Sequence, residues 1–402
     1  MAFVSGSARS KREAIDLNAY FESQAIPVYD ADSISVYQSG AAKFESLLRD
    51  MEQAQHHIHC EYFIFANDSI AHRLLDVMRR KAKAGVQCRL VVDGYYDRQR
   101  GYDYSHRLRQ LRQQGIDIYI YKPYEFPFVH RVLRDHRKIV VIDGRIAYTG
   151  GFNVADYNIK GKPGIYGGYV DTQVRLEGSC VEGLQYLFGE HFEAAGGTGF
   201  DGPDYYPYTA QHYTSHNSRE VTVLERGRQC ASKKAEMRRA LVHYIDAARD
   251  SLHITSPYLL PTPSVRRALR RAMRRGVHVE VLYSDQGDTP LFDAGNLYYS
   301  RRLQRRGAEV WMYREAFQHS KVMVADGTRS MVGSVNLDYR ALRWNEEVAV
   351  VINDSATAQW LDSAFVQNQH NAHRLTTEYY HNLPFSRRIK GFFANYLLSW
   401  CL

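Results

Sequence analysis

The sequence predicts an α/β fold built twice. Three observations carry that expectation. A motif of fixed spacing occupies 136–153 and recurs at 319–336. The segments preceding each copy repeat in the same order. Strand-like runs alternate with helix-like runs, which indicates βαβ units and a mixed, largely parallel sheet in each copy.

At 402 residues the chain can hold two or three domains, or two fused copies of one. Residues 1–20 lack an apolar core of signal-peptide length and are expected to form a flexible arm. The first lobe is expected over 21–210. Its strand-forming run HHIHCEYFIF (56–65) is followed by RRKAKAGVQCRLVVDG (79–94), a basic helix end, a glycine and an apolar strand. LRQQGIDIYIY (111–121) repeats that helix–glycine–strand order.

The second lobe, over 211–380, follows the same plan with SLHITSPYLL (251–260), RRAMRRGVHVEVLYSD (270–285) and LQRRGAEVWMY (303–313). Gly85, Gly115, Gly276 and Gly307 fall where helix C-caps need positive φ. The Gly- and Tyr-rich region around 196–218 is the expected connector. Residues 381–402 form an amphipathic segment, either a candidate membrane anchor or a terminal helix packed on the core.

The repeated motif reads HRKIVVIDGRIAYTGGFN in the first half and HSKVMVADGTRSMVGSVN in the second. Both fit H-x-K-x4-D-x6-G-[GS]-x-N, with a constant offset: 319 − 136 = 183 and 336 − 153 = 183. IVVID and VMVAD read as strands ending in glycine turns. On a strand, residues two apart share a face, so His136 and Lys138, and likewise His319 and Lys321, stand side by side.

That set suits phosphodiester chemistry. Such an ester needs a nucleophile, an acid for the leaving oxygen, and cations on its non-bridging oxygens. One neutral imidazole attacks phosphorus; the other, protonated, serves the leaving alkoxide. Lys138 and Lys321 neutralise developing charge, and Asn153 and Asn336 donate to the same oxygens. The Gly-Gly and Gly-Ser steps are expected to admit close backbone approach. Asp143 and Asp326, at the same spacing in both copies, complete the candidate catalytic set.

The charge of +8 and pI near 9.1 imply an anionic partner: nucleic acid, an acidic membrane or a phosphorylated small molecule. The five scattered cysteines form no metal-binding pattern and are expected to be reduced and mostly buried. No stretch approaches the ~18 apolar residues a spanning helix needs.

The paired motif resembles the signature of the phospholipase D superfamily, and the repeats cover roughly 35–370. The resemblance implies two α/β/α lobes related by a pseudo-twofold axis, with the active site between them. It implies a phosphohistidine intermediate, no metal and no cofactor. His136 would be the nucleophile and His319 the general acid/base, with Asp143 and Asp326 mainly orienting the motif. It also suggests that Asp171 and Glu347 each orient an active-site histidine through Nδ1, with the opposite half's histidine as the candidate. A surface or strand-end role for these acids stays open. Glu346 on the same strand faces away from Glu347.

The flanks TGGFNVADYNIKG and DTPLFDAGNLYYSRRLQRRGAEVWMY resemble bacterial cardiolipin synthases. That resemblance implies phosphatidyl transfer from phosphatidylglycerol to a second lipid alcohol. Hydrolysis of a phospholipid or, less favoured, of nucleic acid is the alternative. The implied partner is an anionic phospholipid rather than nucleic acid, met by peripheral association at the cytoplasmic face of the inner membrane. The membrane-spanning pair of larger synthases is not found in this sequence, so other contacts are expected. LPFSRRIKGFFANYLLSWCL (383–402) and YKPYEFPFVHRVLR (121–134) are candidates, the latter through Phe126, Phe128, Val129 and Val132. The helix SVRRALRRAMRRG places Arg266, Arg270 and Arg274 in one row and Arg267, Arg271 and Arg275 in the next. These rows are either a solvated face or a binding surface for anionic headgroups.

Overall fold

A computed structural model describes residues 15–94, 104–121, 133–161, 167–200, 202–210, 219–227 and 236–401, with the backbone alone at 104–108, 210 and 395–401. Two mixed sheets repeat one strand order. The seven-stranded sheet runs Ser33–Tyr37, Gln173–Glu177, Ile146–Gly150, Lys138–Ile142, His57–Tyr62, Gln87–Asp93, Ile116–Tyr121. The nine-stranded sheet contains Glu220–Arg226, Glu347–Asn353, Arg329–Gly333, Val322–Ala325, Ser251–Thr255, His278–Ser284 and Glu309–Tyr313 in matching order. Val28–Asp30 and Ala372–Arg374 extend it at its two edges.

The sheets are less parallel than expected. In the first, only the pairs His57–Tyr62 with Gln87–Asp93, and Gln87–Asp93 with Ile116–Tyr121, are parallel. The remaining pairs are antiparallel. The second sheet repeats this with its counterparts. The connections explain the difference. Parallel neighbours need a helical crossover, whereas each motif strand returns through a tight turn. Arg145 N–H donates to the Ile142 carbonyl at 3.0 Å, and Thr328 to Ala325 at 3.2 Å.

The motif strand is apolar on both faces, which buries it twice. Val140 and Ile142 join the core under helices Gly40–Gln53 and Ser69–Lys83. Ile139 and Val141 join Val322, Val324, Val332, Val348 and Val350 in a core shared by the two sheets. That shared core fixes one motif against the other. Gly85, Gly115, Gly276 and Gly307 have φ of +92°, +83°, +98° and +100°, as helix ends require.

The expected arm over 1–20 must be shortened. Leu17–Ser23 is a helix capped by the Asp16 carboxylate, 2.9 Å from Asn18 N. Leu17 and Phe21, one turn apart, are buried against the second lobe's core. Residues 1–14 lie outside the described residues. In the connector, Phe200 stacks on Tyr205 at 4.8 Å. Cys60, Cys88 and Cys180 are buried free thiols. No described helix is long and apolar enough to cross a membrane.

Helix Phe385–Cys401 packs along Pro290–Gln304. It is therefore attached to the second lobe, with part of its apolar face uncovered. Phe126, Phe128, Val129 and Val132 lie outside the described residues.

Candidate active site

Both motifs open onto one cavity of about 840 Å³ between the sheets, lined by His136, Asn153, His319 and Asn336. Each histidine is held by the other lobe. His136 N–H donates to the Glu346 carbonyl at 2.9 Å, and His319 N–H to the Val170 carbonyl at 2.7 Å. Short parallel pairings, Asp135 with Glu346 and Phe317–Gln318 with Tyr169–Val170, underlie those bonds. Thr172 adds a hydroxyl bond to Ser320 at 2.9 Å.

The side chains cross in the same way. His136 Nδ1 lies 3.0 Å from Glu347 Oε2, and His319 Nδ1 lies 2.6 Å from Asp171 Oδ2. Both carboxylates are fully buried. With Nδ1 engaged, Nε2 is the ring nitrogen left for a substrate in each case. The surroundings of the two acids differ. Asn345 donates to Glu347 at 3.1 Å, and the Ser334 hydroxyl also donates to it. Gly151 occupies the equivalent of Ser334, and a β-carbon there would lie 2.0 Å from Asp171 Oδ1. The glycine thus makes room for Asp171. Gly150 and Gly333 likewise admit neighbouring strands, since β-carbons would lie 2.3 Å from the Thr172 carbonyl oxygen and 2.4 Å from that of Val348. The close approach expected at these glycines is to protein.

The electrostatics are equally uneven. Burial drives the His136 pKa well below its ordinary value, assisted by Lys138, Lys321 and His319. Burial and Lys321 lower that of His319, but Asp171 opposes them. For Asp171, burial favours the neutral acid, yet Lys321 and His319 outweigh it and keep the carboxylate below its usual range. Glu347 is pushed up to about 7 by burial, only partly offset by Lys138.

Burial lowers Lys138 to about 7 and Lys321 to about 8. Each ammonium turns back onto the carbonyl of its motif histidine, Lys138 at 2.5 Å. Lys321 also stands 2.8 Å from His319 Nδ1. Asn153 donates to Tyr157 at 3.0 Å, while the buried Asn336 side-chain oxygen has no hydrogen-bond partner among the described residues.

Asp143 and Asp326 depart from the catalytic set. They stand at the far ends of the motif strands and do not line the cavity. Asp143 accepts from the N–H groups of Gln55, His56 and His57 at 2.8, 2.7 and 2.8 Å. Asp326 does the same for Arg249, Asp250 and Ser251. Both adopt positive φ, +53° and +57°, which aspartate tolerates better than most residues. Asp143→Ala should therefore cost about 2–3 kcal/mol of stability by stranding these donors. Urea denaturation measures this, with turnover per folded molecule expected to be retained.

Sequence reasoning missed several cavity residues, including Tyr169, Tyr258, Asp288, Phe292 and Arg340. Asp288 and Phe292 lie in a flank quoted for resemblance, without a pattern that assigned them to a wall. Also missed is a buried cluster behind His136. Glu61 lies 2.8 Å from His191, and Asp135 and Glu346 approach the same ring at 3.9 and 3.7 Å. Glu61, Asp135 and His191 could offer ligand atoms to a metal. However, Arg137 supplies positive charge there: burial opposes its ionisation, but Glu61, Glu225 and Glu346 raise its pKa.

Comparison with known proteins places this geometry. Residues 47–162 and 241–369 match the family described as "Cardiolipin synthase, PLD-like domain". The cardiolipin synthase of Oceanobacillus iheyensis is 30% identical over 360 residues, spanning 89% of this chain and 73% of that protein. That of Listeria welshimeri is 30% identical over 353 residues, spanning 87% and 71%. The crystal structure of phosphatidylserine synthase from Haemophilus influenzae Rd KW20 shares the fold, with a TM-score of 0.73 at 15% identity. It covers 96% of this chain and 99% of its own. The chain belongs to the cardiolipin synthase family of the phospholipase D superfamily and is a phosphatidyltransferase.

Proposed function

We propose that this enzyme makes cardiolipin by moving a phosphatidyl group from one phosphatidylglycerol to a second, releasing glycerol. His136 Nε2 attacks phosphorus, forming the N–P bond as the bond to the glycerol oxygen breaks. His319 gives its Nε2 proton to that oxygen. The second phosphatidylglycerol then enters. His319 takes its hydroxyl proton, the oxygen attacks phosphorus, and the N–P bond breaks. Lys138 and Lys321 supply positive charge near the phosphoryl oxygens, and Asn153 and Asn336 supply hydrogen bonds.

The observation that carries this reading is the crossed pairing of each histidine with the opposite lobe's carboxylate. Its electrical asymmetry supports the roles. The strongly neutral His136 suits a nucleophile, and the ionised Asp171 opposes the burial and the Lys321 charge that lower His319, so His319 holds a proton more readily than His136. Peripheral association at the cytoplasmic face of the inner membrane would give both steps their lipids.

Rapid acid-free quenching of enzyme mixed with phosphate-labelled phosphatidylglycerol tests the covalent step. Peptide mapping is expected to find label on His136. Label on His319 would reverse the roles, and absence of label during turnover would remove the intermediate.

A further inference from the structure

We infer that the face formed by helices Pro290–Gln304 and Phe385–Cys401 docks on an anionic phospholipid bilayer. This rests on the reading of the cavity as a phospholipid site. The two helices meet closely: a β-carbon on Gly391 would lie 2.8 Å from the Ala294 carbonyl oxygen. Ala394 and Tyr299 are buried in the seam. Away from it, Phe385, Ile389, Phe392 and Phe393 are 69%, 41%, 56% and 59% exposed. Their spacing places all four along one helical stripe. Isolated exposed apolar residues need no explanation, but a contiguous aromatic stripe marks a contact surface.

A cationic groove of about 800 Å³ adjoins the stripe, lined by Arg301, Arg302, Arg305 and Arg306 with Tyr298 and Tyr380. The Tyr298 ring lies 6.4 Å from that of Phe392. The side-chain hydrogen bonds of Arg301, Arg302 and Arg306 go to an amide, hydroxyls and a carbonyl. Among the described residues, no carboxylate pairs with the four arginines. Partial burial lowers the Arg306 pKa, and Arg302, Arg270, Arg305 and Arg266 lower it further. The neighbouring basic helix divides accordingly. Arg271 and Arg275 share the Asp246 carboxylate, whereas Arg266 and Arg270 add to the groove's field.

Unneutralised guanidinium groups beside exposed phenylalanines match a bilayer surface. Headgroup phosphates meet the arginines, and the rings enter the acyl boundary. A nucleic acid offers the phosphates but no apolar phase for Ile389 and three phenylalanines. The face also continues to the cavity. Asp288, Thr289 and Phe292, at the start of the first helix, line the cavity wall. Arg301 and Arg302 lie at its other end, roughly 20 Å away by helical rise.

Co-sedimentation with phosphatidylcholine vesicles, with or without phosphatidylglycerol, tests the inference. Arg305→Gln/Arg306→Gln should weaken binding to the anionic vesicles about 25-fold, about fivefold per arginine. Phe392→Ser/Phe393→Ser should lose about tenfold or more on both vesicle types. Both variants should turn over monomeric short-chain phosphatidylglycerol at the unsubstituted rate, which reports an intact fold and cavity. Unchanged sedimentation of both variants would overturn the inference. So would an arginine variant that loses duplex-DNA binding but keeps vesicle binding. If the unsubstituted enzyme leaves short-chain lipid unchanged while the vesicle losses appear, the docking face stands and the proposed activity fails.

Discussion

His136→Ala is expected to lower kcat roughly 10⁵-fold, because the group proposed to form the covalent bond is removed. The effect should fall on kcat more than on KM. Lys138, Lys321, Asn153 and Asn336 remain to hold a phosphodiester. Steady-state kinetics on dispersed phosphatidylglycerol, with circular dichroism as the folding control, measures the change. A variant retaining full turnover would remove His136 from the reaction.

Asp171→Asn is expected to reduce kcat by about 10⁴-fold, the scale seen when a buried carboxylate that fixes a catalytic tautomer becomes an amide. Glu347→Gln should cost less, about 10²-fold, because the Glu347 carboxyl is already pushed up to about 7. The raised pKa also fixes the direction of a pH effect. Below about 7 the carboxyl gains a proton and ceases to be a charged acceptor for His136 Nδ1. The unsubstituted rate should therefore fall as pH drops through about 7, and Glu347→Gln should flatten that limb. Asp171 stays ionised under the field of Lys321 and His319, overcoming burial, so it adds no limb there. A pH profile of kcat/KM for the three proteins checks the separation.

The sequence made the chemistry legible where residues are close together in it. His136 and Lys138 share a strand face, and the repeat implied a second copy at His319 and Lys321. Asp171 and Glu347 were within reach because each lies some thirty residues past its half's histidine: 171 − 136 = 35 and 347 − 319 = 28. Their exchange across the lobes follows from the short pairings of Asp135 with Glu346 and Phe317–Gln318 with Tyr169–Val170. No local pattern encodes those pairings. The same limit hid the Glu61, Asp135, His191 and Glu346 cluster, whose members come from separate elements. Alternation of strands and helices overstated parallel pairing, because the pattern does not register the hairpin returns at Asp143 and Asp326. Those aspartates entered the catalytic set by motif spacing, while the family resemblance gave them a mainly orienting role, and their geometry serves backbone N–H groups. The arginine rows were legible as a face. Which arginines are paired depended on Asp246, distant in sequence.

The most direct test of phosphatidyl transfer is mass spectrometry of the products formed from phosphatidylglycerol vesicles by the purified enzyme. The account predicts cardiolipin and glycerol in equal amounts. Phosphatidic acid and glycerol without cardiolipin would contradict it and assign water as the acceptor.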